Sequence, residues 1–210
     1  MKDLGREQEF LKKYERLIVK DDEIKDPNFL KAIELANKGK YHKAIFFYNK
    51  AIELNPNDAD IWHLTGCAFS ELDSLEQAMQ CFEKALNLRP DFAVAMSMKA
   101  SILSMWGRSN EALELYDKSL KIDPDQDYVW NFKGLIANER KEYEQAIKYF
   151  DKALDITPGN SNALFGKKLA YENLMESKKT GPEGVLKFCP NCGSQLNAGA
   201  KFCGSCGSRL

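Results

Sequence analysis

No run of about 18 apolar residues occurs in this chain of 210 residues, which excludes a helix spanning a bilayer. Histidine is nearly missing: His42 and His63 are the only two, so no His-rich metal motif exists. Neither sign of charge is in excess. Thirty Lys and Arg stand against 31 Asp and Glu, a net charge of −1, so no global field draws the protein to nucleic acid or to an anionic membrane. A Gly-rich phosphate loop and a paired acidic constellation are also missing. Cysteine is sparse until the end: only Cys67 and Cys81 precede Cys189. The opening stretch "MKDLGREQEFLKKYERL" is charged throughout and lacks the apolar segment of a signal peptide. The expected location is therefore the cytoplasm, where thiols stay reduced and clustered cysteines more often bind metal than form disulfides.

What is present is a packed-core composition, 44 % apolar and 29 % charged, organised by a period. Pro56, Pro90, Pro124 and Pro158 lie 34 residues apart, each closing a similar phrase: "AIELNP", "ALNLRP", "SLKIDP" and "ALDITP". Residues 60–90 and 128–158 align as Trp62 with Trp130, Gly66 with Gly134, Ala78 with Ala146, Phe82 with Phe150 and Ala85 with Ala153. Apolar residues recur at helical spacing, as in Ile61, Trp62, Thr65, Ala68, Phe69 and Leu72. Small residues at Gly66, Ala78 and Ala85 let two helices approach, and Trp62 and Phe82 fill the space beside them. Gly39 and Gly107 mark turns between helices, and each proline follows the second helix of its unit. One helix pair cannot bury its apolar face alone, so neighbouring pairs must stack.

This pattern resembles the tetratricopeptide repeat, a 34-residue helix–turn–helix unit. The resemblance implies an all-α fold, a right-handed α-solenoid of four repeats over 25–58, 59–92, 93–126 and 127–160. The first and third depart from the pattern: Asn28 and Met96 replace the Trp, Ala32 and Ala100 the Gly, and Ser119 an Ala. Residues 161–177 read as a capping helix with Leu164, Leu169 and Tyr171 turned inward. Phe10, Tyr14, Leu17 and Ile18 stand 34 residues before Ala44, Tyr48, Ala51 and Ile52. Residues 1–24 therefore read as a degenerate half-repeat capping the first unit, with a detached amphipathic helix as the alternative.

By the same resemblance, the first helix of each repeat lines a concave groove suited to an extended peptide or a partner helix. The groove positions are Phe29, Ile33 and Asn37; His63, Cys67 and Ser70; Val94, Ser97, Ser101 and Ser104; and Tyr128, Asn131, Leu135 and Asn138. They lack the Lys, Arg and Asn set with which one subtype grips a C-terminal carboxylate, so carboxylate-clamp docking is not expected. His63 and Cys67, four residues apart, share a helix face and are the nearest thing to an activated thiolate. No third orienting residue is evident, and the expectation is no enzyme. His42 reads as a surface residue in a turn, Cys81 as a packed or half-exposed helix residue and Trp106 as packing at a helix end.

The last stretch, "KFCPNCGSQLNAGAKFCGSCGSRL", holds Cys189, Cys192, Cys203 and Cys206 in two Cys-x-x-Cys pairs. That is the donor set of one closed, structural, tetrahedral Zn2+. Two disulfides or a redox dithiol are the alternatives, the latter needing a strand–helix context that is missing here. The ten-residue spacer leaves room for little more than a small hairpin. Gly193 and Gly207 follow the pairs, where a tight turn needs positive φ and aims backbone N–H groups at the sulfurs. Residues 187–210 resemble the short zinc-ribbon family. Phe188, Phe202, Leu196 and Leu210 read as its miniature core, and Lys187, Lys201 and Arg209 as its only charges. Residues 178–186, within "ESKKTGPEGVL", read as a flexible linker.

The expectation that follows is a non-enzymatic cytoplasmic adaptor, a monomer with no membrane contact. A protein or peptide partner sits in the groove and the ribbon adds a second contact. The runner-up is a factor of the nucleic-acid, translation or transcription machinery, with the ribbon touching nucleic acid.

Overall fold

The computed structural model describes residues 26–179, 188–189, 191–196, 201–203 and 205–209. The half-repeat read over 1–24 lies outside them, as do Lys187, Leu210 and most of the linker. The described residues form two compact units divided between Ile122 and Asp123.

The first unit holds three helix hairpins: α1 (Pro27–Asn37) with α2 (Tyr41–Leu54), α3 (Ala59–Ser70) with α4 (Leu75–Leu88), and α5 (Ala93–Met105) with α6 (Ser109–Ile122). Within this unit consecutive helices pack on one another. The second unit holds the hairpin of α7 (Asp127–Glu139) and α8 (Tyr143–Ile156), then α9 (Ser161–Lys179), which packs on both. The described residues contain no β-strand, only two isolated bridges near the C-terminus.

The starts of these helices are written locally. Asp58 accepts from the backbone N–H of Asp60 at 2.8 Å and of Ile61 at 3.4 Å, satisfying donors that a helix N-terminus leaves orphaned. Asp26 does the same for Asn28, ahead of Pro27 at the first helical position. The turn inside each hairpin is the same reverse turn four times over. Gly39 and Gly107 adopt φ of +68° and +76°, as the sequence predicts. Asp73 and Lys141 adopt φ of +57° and +64° at the equivalent places, which the sequence reading missed because neither is glycine. In all four the next residue's N–H donates back to a carbonyl of the first helix, as Lys40 does to Leu35 and Glu142 to Ala137, both at 2.9 Å.

The core repeats a trio of small, aromatic and small residues on the second helix of each pair. Ala44, Tyr48, Ala51; Ala78, Phe82, Ala85; Ala112, Tyr116, Ser119; and Ala146, Phe150, Ala153 are all buried. Burial of one such ring is worth about 1.5–3 kcal/mol. Glycine on the facing helix makes room: a Cβ at Gly66 would lie 2.7 Å from the Phe82 ring, and one at Gly134 2.6 Å from the Phe150 ring. In the first and third repeats the pair is Ala with Tyr instead, and Ala32 and Ala100 stay fully buried. Tyr116 shares a 3.0 Å hydrogen bond with Ser101, and Ser119, in an alanine's place, donates to the Ala93 carbonyl at 2.8 Å. Trp62 and Trp130 each donate Nε1–H to the carbonyl of the proline six residues earlier, Pro56 and Pro124.

Three expectations need correction. The helix after Pro158 runs to Lys179, so the linker cannot begin at residue 178. Its inner face carries Ala163, Gly166, Ala170 and Leu174 rather than Leu164, Leu169 and Tyr171, which are 51 %, 36 % and 44 % exposed. The Phe150 ring already fills the space there, so only small residues fit against it: a Cβ on Gly166 would come 2.5 Å from that ring. Trp106, expected as packing, caps α5 and is 40 % exposed. His42 is exposed as expected but stands in the first turn of α2.

Candidate metal centre and ligand-binding faces

The metal centre is built from two copies of one knuckle. In the first, Cys189 N–H donates to the Ser194 carbonyl and Gly193 N–H to the Cys189 carbonyl, both at 2.8 Å. In the second, Cys203, Ser208 and Gly207 repeat those bonds at the same lengths. Gly193 and Gly207 sit at φ of +71° and +73°, a conformation that a Cβ disfavours. Each knuckle closes on itself through one bridge, Phe188 with Gln195 and Phe202 with Arg209. The small hairpins therefore lie within the knuckles, each around its own Cys pair.

The four sulfurs lie within 4.8 Å of one another. Cys189 and Cys206 are 3.5 Å apart, Cys192 and Cys203 3.6 Å. A tetrahedral ion with sulfur at about 2.3 Å places its ligands about 3.8 Å apart, so the cluster matches that size. The separations exceed the ~2.05 Å of a disulfide, and all four are free thiols. The surroundings favour thiolate at Cys206 and Cys189. The Ser208 hydroxyl, 2.6 Å from Cys206 Sγ, and the Ser208 amide together hold that thiol down to about 5. Burial raises Cys189, but the amides of Cys192 and Asn191 outweigh it and the net shift is downward. At Cys192 the Ser194 hydroxyl and amide pull the thiol down, but the neighbouring Cys206 and Cys203 sulfurs and burial outweigh them and the net shift is upward. Amides do point at the sulfurs, from the serine after each glycine at Cys192 and Cys206 and from Asn191 and Cys192 at Cys189. Asn191 ties the knuckles together, donating to Ser208 Oγ at 3.1 Å.

The expected miniature core is overturned in part. Phe188 and Leu196 are half-buried, but Phe202 is 60 % exposed, and among the described residues of the ribbon Cys189 and Cys203 are the buried ones.

The groove residues sort by depth. In the first unit Phe29, Ile33, His63 and Ser97 are buried, so they are floor rather than contact surface. Phe29 lies against Tyr48, ring centres 6.2 Å apart, and His63 lies between Phe82 and Phe92 at 5.9 and 4.9 Å. Asn37, Cys67, Ser70, Val94, Ser101 and Ser104 are half-buried and accessible. In the second unit Asn131 is buried, Tyr128 and Asn138 are half-buried, and Leu135 is exposed. Cys67 Sγ lies 3.6 Å from His63 Nε2, so the structure does bring that pair together, with the imidazole enclosed by aromatic rings. Cys81 is buried, which pushes its thiol up to about 11, away from reactivity.

Comparison with known proteins decides the family. The family profile of the cytochrome c-type biogenesis protein H TPR domain matches residues 49–164, more than half of the chain. The chain belongs to this tetratricopeptide-repeat family. The general tetratricopeptide repeat profile also matches residues 29–58, and the zinc-ribbon domain profile matches residues 188–210. A protein of Methanocaldococcus jannaschii, itself uncharacterized, is 40 % identical over 63 residues, 29 % of this chain and 73 % of that protein. Among solved structures, MamA from Desulfovibrio magneticus RS-1 superposes with a TM-score of 0.59 at 18 % identity, covering 73 % of this chain and 94 % of that one. YrrB, described as a TPR protein with an unusual peptide-binding site, gives 0.59 at 19 % identity, covering 79 % and 85 %. These likenesses establish the expected all-α tetratricopeptide solenoid fold. No described helix of this tetratricopeptide protein is long and apolar enough to cross a membrane.

Proposed function

We propose that this protein is a non-enzymatic, cytoplasmic scaffold with two contact modules, the tetratricopeptide repeats over 25–160 and the zinc ribbon over 187–210. One Zn2+, held by Cys189, Cys192, Cys203 and Cys206, is structural. All four donors come from the chain and leave no open position for chemistry. The ribbon is too small to fold on apolar burial alone, so metal binding supplies its folding free energy.

The observation that carries the scaffold reading is the accessible face of the first unit. Cys67, Ser70, Val94, Ser101 and Ser104 form an uncharged, half-buried surface on the first helices of successive pairs. Small polar residues there leave room for a peptide backbone and offer hydroxyls to it. That a solved relative by fold is described as having a peptide-binding site supports the same reading. The linker to the ribbon raises the effective concentration of the second contact once the first has formed.

One observation favours a second reading. Phe202 is exposed and is flanked by exposed Lys201 and Arg209, the latter its bridge neighbour. An aromatic face between two cations suits a stacked base beside phosphate. Capture from lysate by the full chain, with and without nuclease, separates the readings. Scaffold binding survives nuclease and is lost in Ser70→Arg/Ser104→Arg, two changes at accessible positions. Capture that vanishes with nuclease and in Lys201→Glu/Arg209→Glu, while Ser70→Arg/Ser104→Arg leaves it intact, makes nucleic acid the partner.

A further inference from the structure

The most conspicuous exposed apolar surface lies on α9. Phe165 is 69 % exposed, Met175 53 %, Leu164 51 %, Tyr171 44 % and Leu169 36 %. Its position in the repeat explains why. α9 begins 34 residues after α7, so Leu164 and Tyr171 correspond to Trp130 and Ala137. On α7 those positions face the second helix of the pair: Trp130 stacks on Tyr149 at 5.9 Å, and Ala137 packs in the cluster with Ala146 and Phe150. α9 is thus a first helix whose antiparallel second helix is missing among the described residues. It is fixed on its other side, where Lys167 pairs with Asp151 and Lys178 with Glu144 across to α8. A helix that only closed a stack would present a polar outer face.

The uncovered face has a mirrored order. Counting outward from Ala170, Lys168 and Glu172 are two residues away and Phe165 and Met175 five, and these four share one helix face at 3–4–3 spacing. Antiparallel helices meet in layers that pair residues equidistant from the axis between them. We propose that the protein self-associates through this face, two copies of α9 packing antiparallel about a two-fold axis opposite Ala170. Phe165 then meets the second copy's Met175, and Lys168 its Glu172, while Leu169 and Tyr171 flank the seam on opposite edges, each beside its own counterpart. The layers of the seam are thus apolar with apolar and cation with anion, as a closed two-fold interface requires. Lys168 and Glu172 now lie 3.8 Å apart within their own helix, exposed by 75 % and 61 %, and are free to exchange that pair for the one across the axis. The occupant is therefore a second copy, in place of the monomer expected from sequence.

Sedimentation equilibrium of the full chain tests this, with circular dichroism confirming unchanged helix content in every variant. The wild type gives twice the monomer mass of 23.9 kDa. Phe165→Glu gives the monomer mass. Lys168→Glu and Glu172→Lys each set like charges across the axis and loosen the dimer by about tenfold or more. Mixed one to one, these two variants restore the dimer, because each supplies the charge that the other's face requires. A monomeric wild type overturns the proposal, and so does a mixture that fails to associate better than either variant alone. The first outcome leaves the face to the ribbon or to residues 1–25, the second to a dimer through another surface.

Discussion

The helical repeats and the ribbon obtain a fixed structure by opposite means. In the repeats each buried ring is one of many. Tyr48, Phe82, Tyr116 and Phe150 fill equivalent spaces, and a neighbouring pair supports each of them. In the described part of the ribbon four sulfurs gather, Cys189 and Cys203 are the buried residues, and Phe202 is exposed. Stability in the repeats is distributed and degrades by degrees. With the proposed Zn2+ bound, stability in the ribbon is concentrated in one coordination sphere and is present or lost as a whole.

The largest expected effect breaks the comparison on the ribbon side. Cys206→Ser removes one of four thiolates, and zinc-dependent folding of such sites involves about 10–16 kcal/mol. Metal stoichiometry falls from one to near zero and the amide dispersion of residues 188–209 collapses. The helical ellipticity and melting of the repeats stay unchanged. Loss of helix on metal removal would mean that the two regions are energetically one.

Phe150→Ala is the counterpart in the repeats. A Phe→Ala cavity costs about 3–5 kcal/mol, read as a lower midpoint in urea, with zinc content unaffected. Gly134→Ala is smaller. Its Cβ meets the Phe150 ring at 2.6 Å, an overpacking cost of about 1–3 kcal/mol, less the ~1 kcal/mol that alanine regains in helix propensity. The smallest effect has the opposite sign. Lys141 holds φ of +64° where two sister repeats have glycine, so Lys141→Gly stabilises by about 1 kcal/mol. A loss of stability there would show that its side chain contributes more than its backbone costs.

Much of this was legible in the sequence because period and composition coincide. The prolines, the small–aromatic–small trio and the two cysteine pairs each need particular residue types at fixed spacing. What the residues conceal is orientation. Leu164, Leu169 and Tyr171 are apolar, yet the inner face of α9 belongs to Ala163, Gly166 and Ala170, because the Phe150 ring leaves no room for more. The turns at Asp73 and Lys141 lack glycine and show only through their 34-residue spacing from Gly39 and Gly107. At the expected groove positions depth was not legible. His63, Ser97 and Asn131 are polar and still buried, since depth depends on neighbours rather than on polarity. In the ribbon the gathering of the four cysteines is plain from their spacing, while Phe202, which reads as core, is exposed.

The Phe150 ring touches glycine on two helices, Gly134 before it and Gly166 after it. It therefore acts as a rivet through three layers rather than a filler between two. Fraying of α9 from the C-terminal end would bare one face of that ring and loosen its seat on α7 in the same event. The last three helices should peel away together, and a protease acting on partly opened molecules should cut before Asp127 as readily as within α9.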